Sequence, residues 1–413
     1  MRKEAKTTQR KRTTTYHHRL CEADHTAIKN KGGIRKLRVG NNKIKLVKMK
    51  LILSLSVLLF LSLSSCQQPE TGEEGLCIKV KFGESLNTPF KMSQFVDSVY
   101  CVQVDSTYVI GHINEMKMAD GYFYLCDKHE GVLYKVDKEG KVLLRLANRG
   151  RAKREYYNIS DVDVNQCNGD IHVWDAVSRR FIVYSNDGTF IKDIPNNDIV
   201  RDFAVTNNGD YLIYTPDYNG HARRGLWLMD SSGAVKKQLV DIDEDFKYGG
   251  LYPSYLISLG NNRFGLMGGE DHDYIYEINN DSVVVRYHLD FGCSIPKELA
   301  KRTLLNFENY KGRIYTKNNY FENKRWLLFY SSNMQQASMS IYDKYENRLY
   351  QISKPEDLIQ DIALYGRALY MNDSMYVCII EPNDLSDKEE LKRLPIEIGG
   401  NTNPLLVIGK VKQ

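Results

Sequence analysis

The chain has 413 residues, of which 26% are charged and 42% are hydrophobic, and its formal net charge is +5. Residues 1–65 hold 16 Lys and Arg against 3 Asp and Glu, a net +13, so residues 66–413 sum to about −8. This acidic remainder argues against a nucleic-acid-binding protein.

Residues 1–48 are basic and polar, with no regular spacing of apolar residues. We expect the true start at Met49, with residues 1–48 forming a wrongly assigned or disordered basic extension. The alternative is a basic arm that binds nucleic acid. Such an arm makes little mechanical sense upstream of an export signal, so we predict no nucleic-acid partner.

An uncharged run of 15 residues, Leu51–Ser65, follows Lys48 and Lys50. It is shorter than the roughly 20 residues that a membrane-spanning helix needs, and a basic start with a small-residue end indicates a secretory signal over residues 49–65. Its end, Leu63-Ser64-Ser65-Cys66, resembles the lipobox of bacterial lipoproteins.

The lipobox resemblance implies cleavage before Cys66 and lipidation of its thiol, followed by a polar linker over residues 66–77. The alternative is an ordinary signal peptide with an incidental cysteine. We therefore expect a cell-envelope protein whose lipid anchor lies in a membrane. We expect this to be the outer membrane, with the protein facing the periplasm or the medium.

Six cysteines follow Cys66, and none of them forms a C-x-x-C pair, so a zinc site is not expected. Export permits disulfides, but most of these cysteines lie in apolar strand patterns. We expect buried free thiols at Cys77, Cys101, Cys126, Cys167, Cys293 and Cys378.

Residues 78–413 are rich in Tyr, Val and Ile, with frequent Gly and Asn/Asp turns and little helical periodicity. This pattern predicts an all-β fold. Residues 116–146 are typical of four short strands, with tight turns at Asp120-Gly121 and Glu139-Gly140. Asp-Gly pairs suit two-residue hairpin turns because glycine accepts a positive φ.

The four-strand pattern repeats along the chain. Gly140, Gly188 and Gly233 lie 48 and 45 residues apart, and Asp281 follows after another 48. Two weaker copies cover about residues 313–352 and 362–411. Six units of four strands predict a six-bladed β-propeller of four-stranded antiparallel blades over residues 78–413. We expect residues 78–104 to supply the strand that closes the ring.

The chain resembles the six-bladed β-propeller lipoproteins of Bacteroidota, whose blades are similar to those of NHL-repeat propellers. The resemblance covers about residues 90–411. The segments that carry it are "FVDSVYCVQV", "IGHINEMKMADGYFYLCD", "GRAKREY", "VYSNDGTFIKDI" and "NPLLVIGKVK". It implies the fold and the location rather than any chemistry.

The two ends of the propeller are expected to differ. If the strands of a blade are called A to D, the A–B and C–D turns lie on one face, which we call the turn face. The B–C and D–A connections lie on the other, the loop face. The short Gly turns all fall on the turn face, and the long irregular segments all fall on the loop face. Because function concentrates on loops held by a rigid scaffold, we predict a binding site on the loop face.

The predicted loop face is rich in Tyr, Arg and Asp, which suits recognition of a protein, peptide or glycan. The alternative is that these are solvated rim residues. The candidate ligand-binding residues are Arg151, Arg154, Tyr156, Tyr218, His221, Arg223, Arg224, Tyr252, Asp271, His272 and Asp273.

No serine-hydrolase, zinc-protease or phosphate-loop motif occurs, so we expect binding rather than catalysis, with no catalytic residue, metal site or cofactor. One alternative is a metal-dependent propeller hydrolase or lyase, similar to the lactonases, that uses the central channel with calcium. Asp161, Asp202 and Asp361 would then line the channel, unless they form hydrogen bonds between blades. The other alternative is a structural subunit of an envelope complex.

Overall fold

The computed structural model describes residues 75–80, 90–215, 223–241, 256–267, 273–294, 312–313, 316–333, 337–352, 367–381 and 403–413. Contacts divide the chain into residues 1–71 and residues 72–413, and every described residue belongs to the second unit. The expected signal peptide and Cys66 lie outside the described residues. Within these ranges, no helix has the length and apolar character needed to cross a bilayer.

Three elements precede the blades: β1 (Leu76–Lys79), the one-turn helix α1 (Met92–Phe95) and β2 (Val96–Gln103). Blade 1 then contains β3 (Glu115–Ala119), β4 (Tyr122–Asp127), β5 (Val132–Val136) and β6 (Val142–Leu146). Blade 2 contains β7 (Asp161–Val164), β8 (Ile171–Asp175), β9 (Arg180–Tyr184) and β10 (Phe190–Pro195). Blade 3 contains β11 (Asp202–Val205), β12 (Tyr211–Thr215), β13 (Gly225–Met229) and β14 (Val235–Val240).

Blade 4 contains β15 (Leu256–Gly260), β16 (Arg263–Met267), β17 (Tyr274–Asn279) and β18 (Ser282–Asp290). Blade 5 contains β19 (Thr316–Glu322), β20 (Trp326–Ser332), β21 (Ala337–Asp343) and β22 (Arg348–Ile352). Blade 6 contains β23 (Arg367–Met371), β24 (Met375–Ile380) and β25 (Leu405–Val411), and β2 completes it.

The six blades form a closed ring. The first strand of each blade contacts the first strand of the next, in the order β3, β7, β11, β15, β19 and β23, and β23 contacts β3. These six A strands therefore surround the channel, and the all-β six-bladed propeller predicted from the sequence is confirmed. The predicted closing strand is confirmed as well, because β2 pairs antiparallel with β25, from Val96 opposite Val411 to Gln103 opposite Leu405.

Strand β1 was not predicted. It pairs in parallel with β18, from Leu76 opposite Tyr287 to Lys79 opposite Asp290, and makes blade 4 a five-stranded sheet. Only Ile78 is buried in this strand, so its sequence lacks the apolar alternation that marks the other strands.

Two of the predicted turns have the backbone geometry of a two-residue hairpin. Asp120 and Gly121 both have positive φ, at 51° and 78°, and Asn261 and Asn262 have φ of 53° and 59°. Two consecutive positive φ values fit the twist of a two-residue hairpin. The A–B and C–D turns are short, whereas the longest connections all join strands B to C or D to A, as predicted.

Six hydrophobic clusters hold the blades together, and each is shared by two neighbouring blades. In the cluster between blades 2 and 3, Trp174 and Phe181 pack with Phe203 and Trp227. The cluster between blades 6 and 1 joins Val377 to Phe123, so the ring is closed by side-chain packing as well as by β2. Each large apolar side chain buried in this way contributes about 1.5–3 kcal/mol.

The six cysteines after Cys66 are all free thiols, as predicted, but the prediction that they are buried is wrong for most of them. Cys126 and Cys378 are buried in B strands, and Cys101 and Cys293 are half-buried. Cys167 is exposed because it lies in the A–B turn of blade 2, and Cys77 is exposed on β1.

Candidate functional site

The predicted site residues separate into three described places on the loop face. Arg151, Arg154 and Tyr156 belong to the D–A connection between blades 1 and 2, which we call the rim loop (residues 147–158). Arg223 and Arg224 precede β13, and Asp273 precedes β17. Tyr218, His221, Tyr252, Asp271 and His272 lie outside the described residues.

The backbone of the rim loop is held in place by Arg180 of β9. Its guanidinium donates to the carbonyl oxygens of Ala152 at 3.1 Å, Lys153 at 3.2 Å and Glu155 at 2.7 Å. The hydroxyl of Tyr184 donates to the carbonyl of Arg154 at 2.8 Å. Four consecutive carbonyls thus point toward blade 2, and the side chains of Arg151, Lys153 and Arg154 are exposed.

Tyr156 is a core residue that anchors the rim loop. It is fully buried, and its hydroxyl donates to the carbonyls of Gly131 and Leu146 at 2.9 and 3.1 Å. The same oxygen accepts the N–H of Asn148 at 3.1 Å. Burial raises the pKa of Tyr156, so the hydroxyl stays protonated. The structure therefore gives Tyr156 a positioning role rather than an exposed surface for a ligand.

A groove of about 510 Å³ lies next to the rim loop, and we call it the rim groove. Its volume lies within the range of about 300–1,000 Å³ that is usual for ligand pockets. Its lining residues are Val109, Gly111, Glu130, Gly131, Val132, Tyr134, Arg145, Ala147 and Arg149. Three of these nine residues are Gly or Ala, and at Gly111 an added Cβ would lie 2.7 Å from Oδ2 of Asp127.

Exposed cations extend from the rim groove along the rim loop. We call them the basic patch: Arg145, Arg149, Arg151, Lys153 and Arg154. Two of them lie over exposed aromatic rings. The Arg145 guanidinium is 5.5 Å from the ring centre of Tyr108, and that of Arg151 is 5.6 Å from the ring centre of Tyr157. Arg149 links the groove to the loop, since its Nε donates to the carbonyl of Tyr157 at 3.3 Å.

The other predicted residues make local contacts. Arg223 lies 3.3 Å from a carboxylate oxygen of Asp198, and its side chain is half-exposed. Asp273 accepts a hydrogen bond from Nζ of Lys317 at 2.7 Å. In the described ranges these contacts are separate from the basic patch, so the structure brings only the rim-loop residues together.

A second cavity, of about 190 Å³, lies in the central channel. Its two sides differ. The A strands of blades 1–3 pair with their B strands in regular register, and those of blades 1 and 2 carry Glu115, Lys117 and Asp163. The A strands of blades 4–6 each contain a register shift against their B strands. The irregular side contributes Asn319 and Tyr370 to the cavity lining. The cavity lining therefore carries Glu115, Lys117 and Asp163 on one side, and mainly apolar and uncharged polar residues together with Arg367 on the other.

Two lysines tie the charged side together. Lys128 Nζ lies 2.6 Å from Glu115 Oε2 and 3.1 Å from Asp161 Oδ1, so it bridges blades 1 and 2. Lys117 Nζ lies 3.0 Å from Glu115 Oε1 and 3.8 Å from Asp163. We call Glu115, Lys117, Lys128, Asp161 and Asp163 the channel cluster.

The carboxyl groups of the channel cluster are shifted in opposite directions. Burial raises the pKa of Glu115, but the ammonium groups of Lys128 and Lys117 outweigh burial and lower it to about 2. Burial raises the pKa of Asp163 to about 6, against the attraction of Lys117. Burial also raises the pKa of Asp161 well above its usual range. The cluster thus keeps Glu115 ionised and favours a proton on Asp161.

Asp161 and Asp202, the channel residues of the enzyme alternative, form the other expected contact, hydrogen bonds between blades. Asp161 Oδ2 accepts the N–H of Phe203 at 3.1 Å, and Asp202 Oδ2 accepts the N–H of Leu256 at 2.7 Å. Asp163 Oδ2 likewise accepts the N–H of Val205 at 2.7 Å. Asp361 lies outside the described residues. Among the residues that are described, no group of three or more His, Cys, Asp or Glu has the arrangement of a metal site.

Several residues of these sites were not selected from the sequence. Arg149 and Tyr157 lie within two residues of predicted residues in "NRGRAKREYY", so the available signal was a run of basic residues that ends in two tyrosines. Arg145 lies in a strand, and Tyr108 is 37 residues away from it in the chain. In the channel, Glu115 and Lys117 alternate with Met116 and Met118, a charged pattern that is unusual in an inner strand.

The fold occurs in solved structures at low identity. A Bacteroides fragilis protein named as exported aligns with 82% of this chain and 100% of its own, at 16% identity and a TM-score of 0.67. A member of the DUF4221 family from Bacteroides vulgatus covers 77% of this chain and 97% of its own, at 10% identity and a TM-score of 0.46. These similarities concern the fold alone.

Part of the chain also aligns with the structure of an enzyme. Virginiamycin B lyase from Staphylococcus aureus covers 66% of this chain and 77% of its own, at 9% identity and a TM-score of 0.37, which carries no argument about activity. The comparison with curated proteins found no match. The model of the family described as "Domain of unknown function (DUF4934)" matches residues 77–410.

Proposed function

Since the chain belongs to the DUF4934 family, whose description states no activity, we propose a function from the site itself. The protein is a ligand-binding β-propeller of the cell envelope, held to the outer membrane by a lipid on Cys66. Its loop face binds a protein, peptide or glycan at the rim groove.

One observation carries the binding proposal: the rim groove lies beside a loop whose backbone is already fixed. Arg180, Tyr184 and Tyr156 hold the rim loop through seven hydrogen bonds to its main chain and to neighbouring carbonyls. A ligand would therefore meet side chains whose positions need little reordering on binding, which lowers the entropic cost of association. Val109 at the groove is 84% exposed, so a ligand can reach it from solvent.

The envelope location is supported by the lipobox-like segment that ends at Cys66 and by the name of the exported Bacteroides fragilis protein with the same fold. Metabolic labelling with an alkyne fatty acid tests the anchor. We expect label on the wild-type chain and none on Cys66→Ser, which should leave the membrane fraction. A membrane-bound, labelled Cys66→Ser protein would contradict the anchor.

The binding site is tested by blocking the rim groove. Val109→Trp places a large ring at the groove, and Lys138→Trp places the same ring on the turn face of the same blade, where Lys138 is exposed. Both variants and the wild type are applied to glycan and peptide arrays. We expect ligands that bind the wild type and Lys138→Trp but not Val109→Trp. Equal binding by all three proteins to every ligand would overturn the proposed site.

A further inference from the structure

Resting on the proposed function, we infer that the rim groove and basic patch bind an acidic polysaccharide, a carbohydrate chain that carries carboxylate or sulfate groups. The inference concerns the ligand class of that site. It depends on three features: the local charge, the fixed positions of the cations, and the open aromatic rings beside the groove.

The first feature is the contrast in charge. Residues 66–413 sum to about −8, yet the five side chains of the basic patch are all cationic and exposed within a stretch of ten residues. Three acidic neighbours are partly engaged. Asp193 lies 3.8 Å from Nζ of Lys153 and 3.3 Å from the guanidinium of Arg180. Glu155 accepts the N–H of Ala152 at 2.9 Å, and Glu130 lies 3.1 Å from the ring nitrogen of His129. A cationic region on an acidic protein directs anions to this one place.

The second feature is the way in which the cations are held. Because Arg180 and Tyr184 take up the carbonyls of residues 152–155, the backbone that carries Arg151, Lys153 and Arg154 is fixed. The guanidinium groups of Arg145 and Arg151 rest on Tyr108 and Tyr157. A guanidinium oriented in this way can bind a carboxylate or sulfate through two parallel N–H groups.

The third feature distinguishes a carbohydrate from an acidic peptide. Three of the residues that line the rim groove, Gly111, Gly131 and Ala147, carry little or no side chain, so backbone forms part of the surface that a ligand meets. Tyr108 and Tyr157 are 39% and 41% exposed, so part of each ring remains open to a sugar ring. Open aromatic rings beside Arg fit an acidic sugar better than an extended peptide.

The experiment measures binding of the chain from Cys66 onward to four probes: polygalacturonate, dextran sulfate, neutral dextran and poly-glutamate. We expect at least one acidic polysaccharide to bind: polygalacturonate if the site prefers carboxylate groups, or dextran sulfate if it prefers sulfate groups. We expect no binding of neutral dextran, and weaker binding as salt rises. Poly-glutamate should bind more weakly than the polysaccharide that binds best.

Two variants and one matched control locate the site. Arg151→Glu combined with Arg154→Glu should weaken polysaccharide binding by about tenfold or more, since each change replaces attraction with repulsion. Lys138→Glu with Lys141→Glu makes the same change in net charge on the turn face of blade 1 and should alter binding less than about twofold. Tyr157→Leu should weaken polysaccharide binding while leaving poly-glutamate binding unchanged.

The inference is overturned if neither acidic polysaccharide binds, if poly-glutamate binds as tightly as the best of them, or if the turn-face control loses as much affinity as the rim-loop variant. These outcomes are separate from failure of the proposed function. If acidic polysaccharides do not bind but Val109→Trp still abolishes binding of another array ligand, the site stands and its ligand class is wrong.

Discussion

Replacing Lys128 with Met removes the ammonium group that bridges blades 1 and 2. Lys128 Nζ lies 2.6 Å from Glu115 and 3.1 Å from Asp161, and both carboxyl groups are buried. Removing one partner of a buried ion pair costs about 3–5 kcal/mol, because the remaining charge is left without compensation. Here Lys117 still lies 3.0 Å from Glu115, and Asp161 still accepts the N–H of Phe203. We therefore expect a loss of about 3 kcal/mol, the lower end of that range.

The loss is measured as the free energy of unfolding in urea at pH 7. Trp174, Trp227 and Trp326 are fully buried in blades 2, 3 and 5, so tryptophan fluorescence reports unfolding around the ring. Lys138→Met serves as the matched control, because Lys138 is exposed on the same blade, and it should change stability by less than about 0.5 kcal/mol.

A second variant separates loss of the charge pair from loss of packing. Lys128→Met together with Glu115→Gln removes a cation and an anion and should recover more than half of the stability that Lys128→Met loses. The reasoning would be refuted if Lys128→Met lost less than about 1 kcal/mol. It would also be refuted if the double variant were less stable than Lys128→Met, since that result would assign the cost to packing.

Three further predictions concern other buried groups. The folded protein holds a proton on Asp163 more tightly than the unfolded chain does, so the free energy of unfolding should fall as pH rises from about 4 to 6. Asp163→Asn should remove this fall and stabilise the protein by about 1–3 kcal/mol at pH 7. Burial lowers the pKa of His172 to about 3, so between pH 8 and pH 5 this histidine takes up a proton only in the unfolded chain. The free energy of unfolding should therefore lose about 2 kcal/mol over this range through His172. Urea titrations of His172→Gln should not show that loss. Gly140 has a φ of 91°, and an added Cβ would lie 2.2 Å from the carbonyl oxygen of Gln103. Gly140→Ala should therefore lower the free energy of unfolding by more than about 2 kcal/mol. An unchanged melting temperature would contradict that close approach.

The predicted fold rested on local features that act over a few residues. Asp120-Gly121 and Asn261-Asn262 specify hairpin turns through their own backbone preferences, and the repeat of such turns sets the blade period. The difference between the two faces followed from strand order alone. Strand β1 escaped prediction because its place depends on the edge of β18, and its own sequence buries only Ile78.

The candidate site was only partly accessible from the sequence. Arg151 and Arg154 are candidates because the long connections of the loop face are rich in Tyr, Arg and Asp, and both side chains are exposed. Tyr156 was selected for the same reason, but its ring fills the core between blades 1 and 2, and its hydroxyl binds carbonyls of two other segments. Composition does not distinguish a tyrosine that contacts a ligand from one that holds a loop.

The six-bladed repeat, the positions of the turns and the face that carries the long connections could be predicted, because these features depend on residues close together in the chain. The contacts between charged side chains could not be predicted. Tyr108 and Arg145 are 37 residues apart in the chain, and Lys128 and Asp161 are 33 apart, yet each pair is in contact. The folding and packing of the blades bring them together. Burial then raises the pKa of Asp161 and of Asp163 in blade 2, against the attraction of lysines that belong to blade 1.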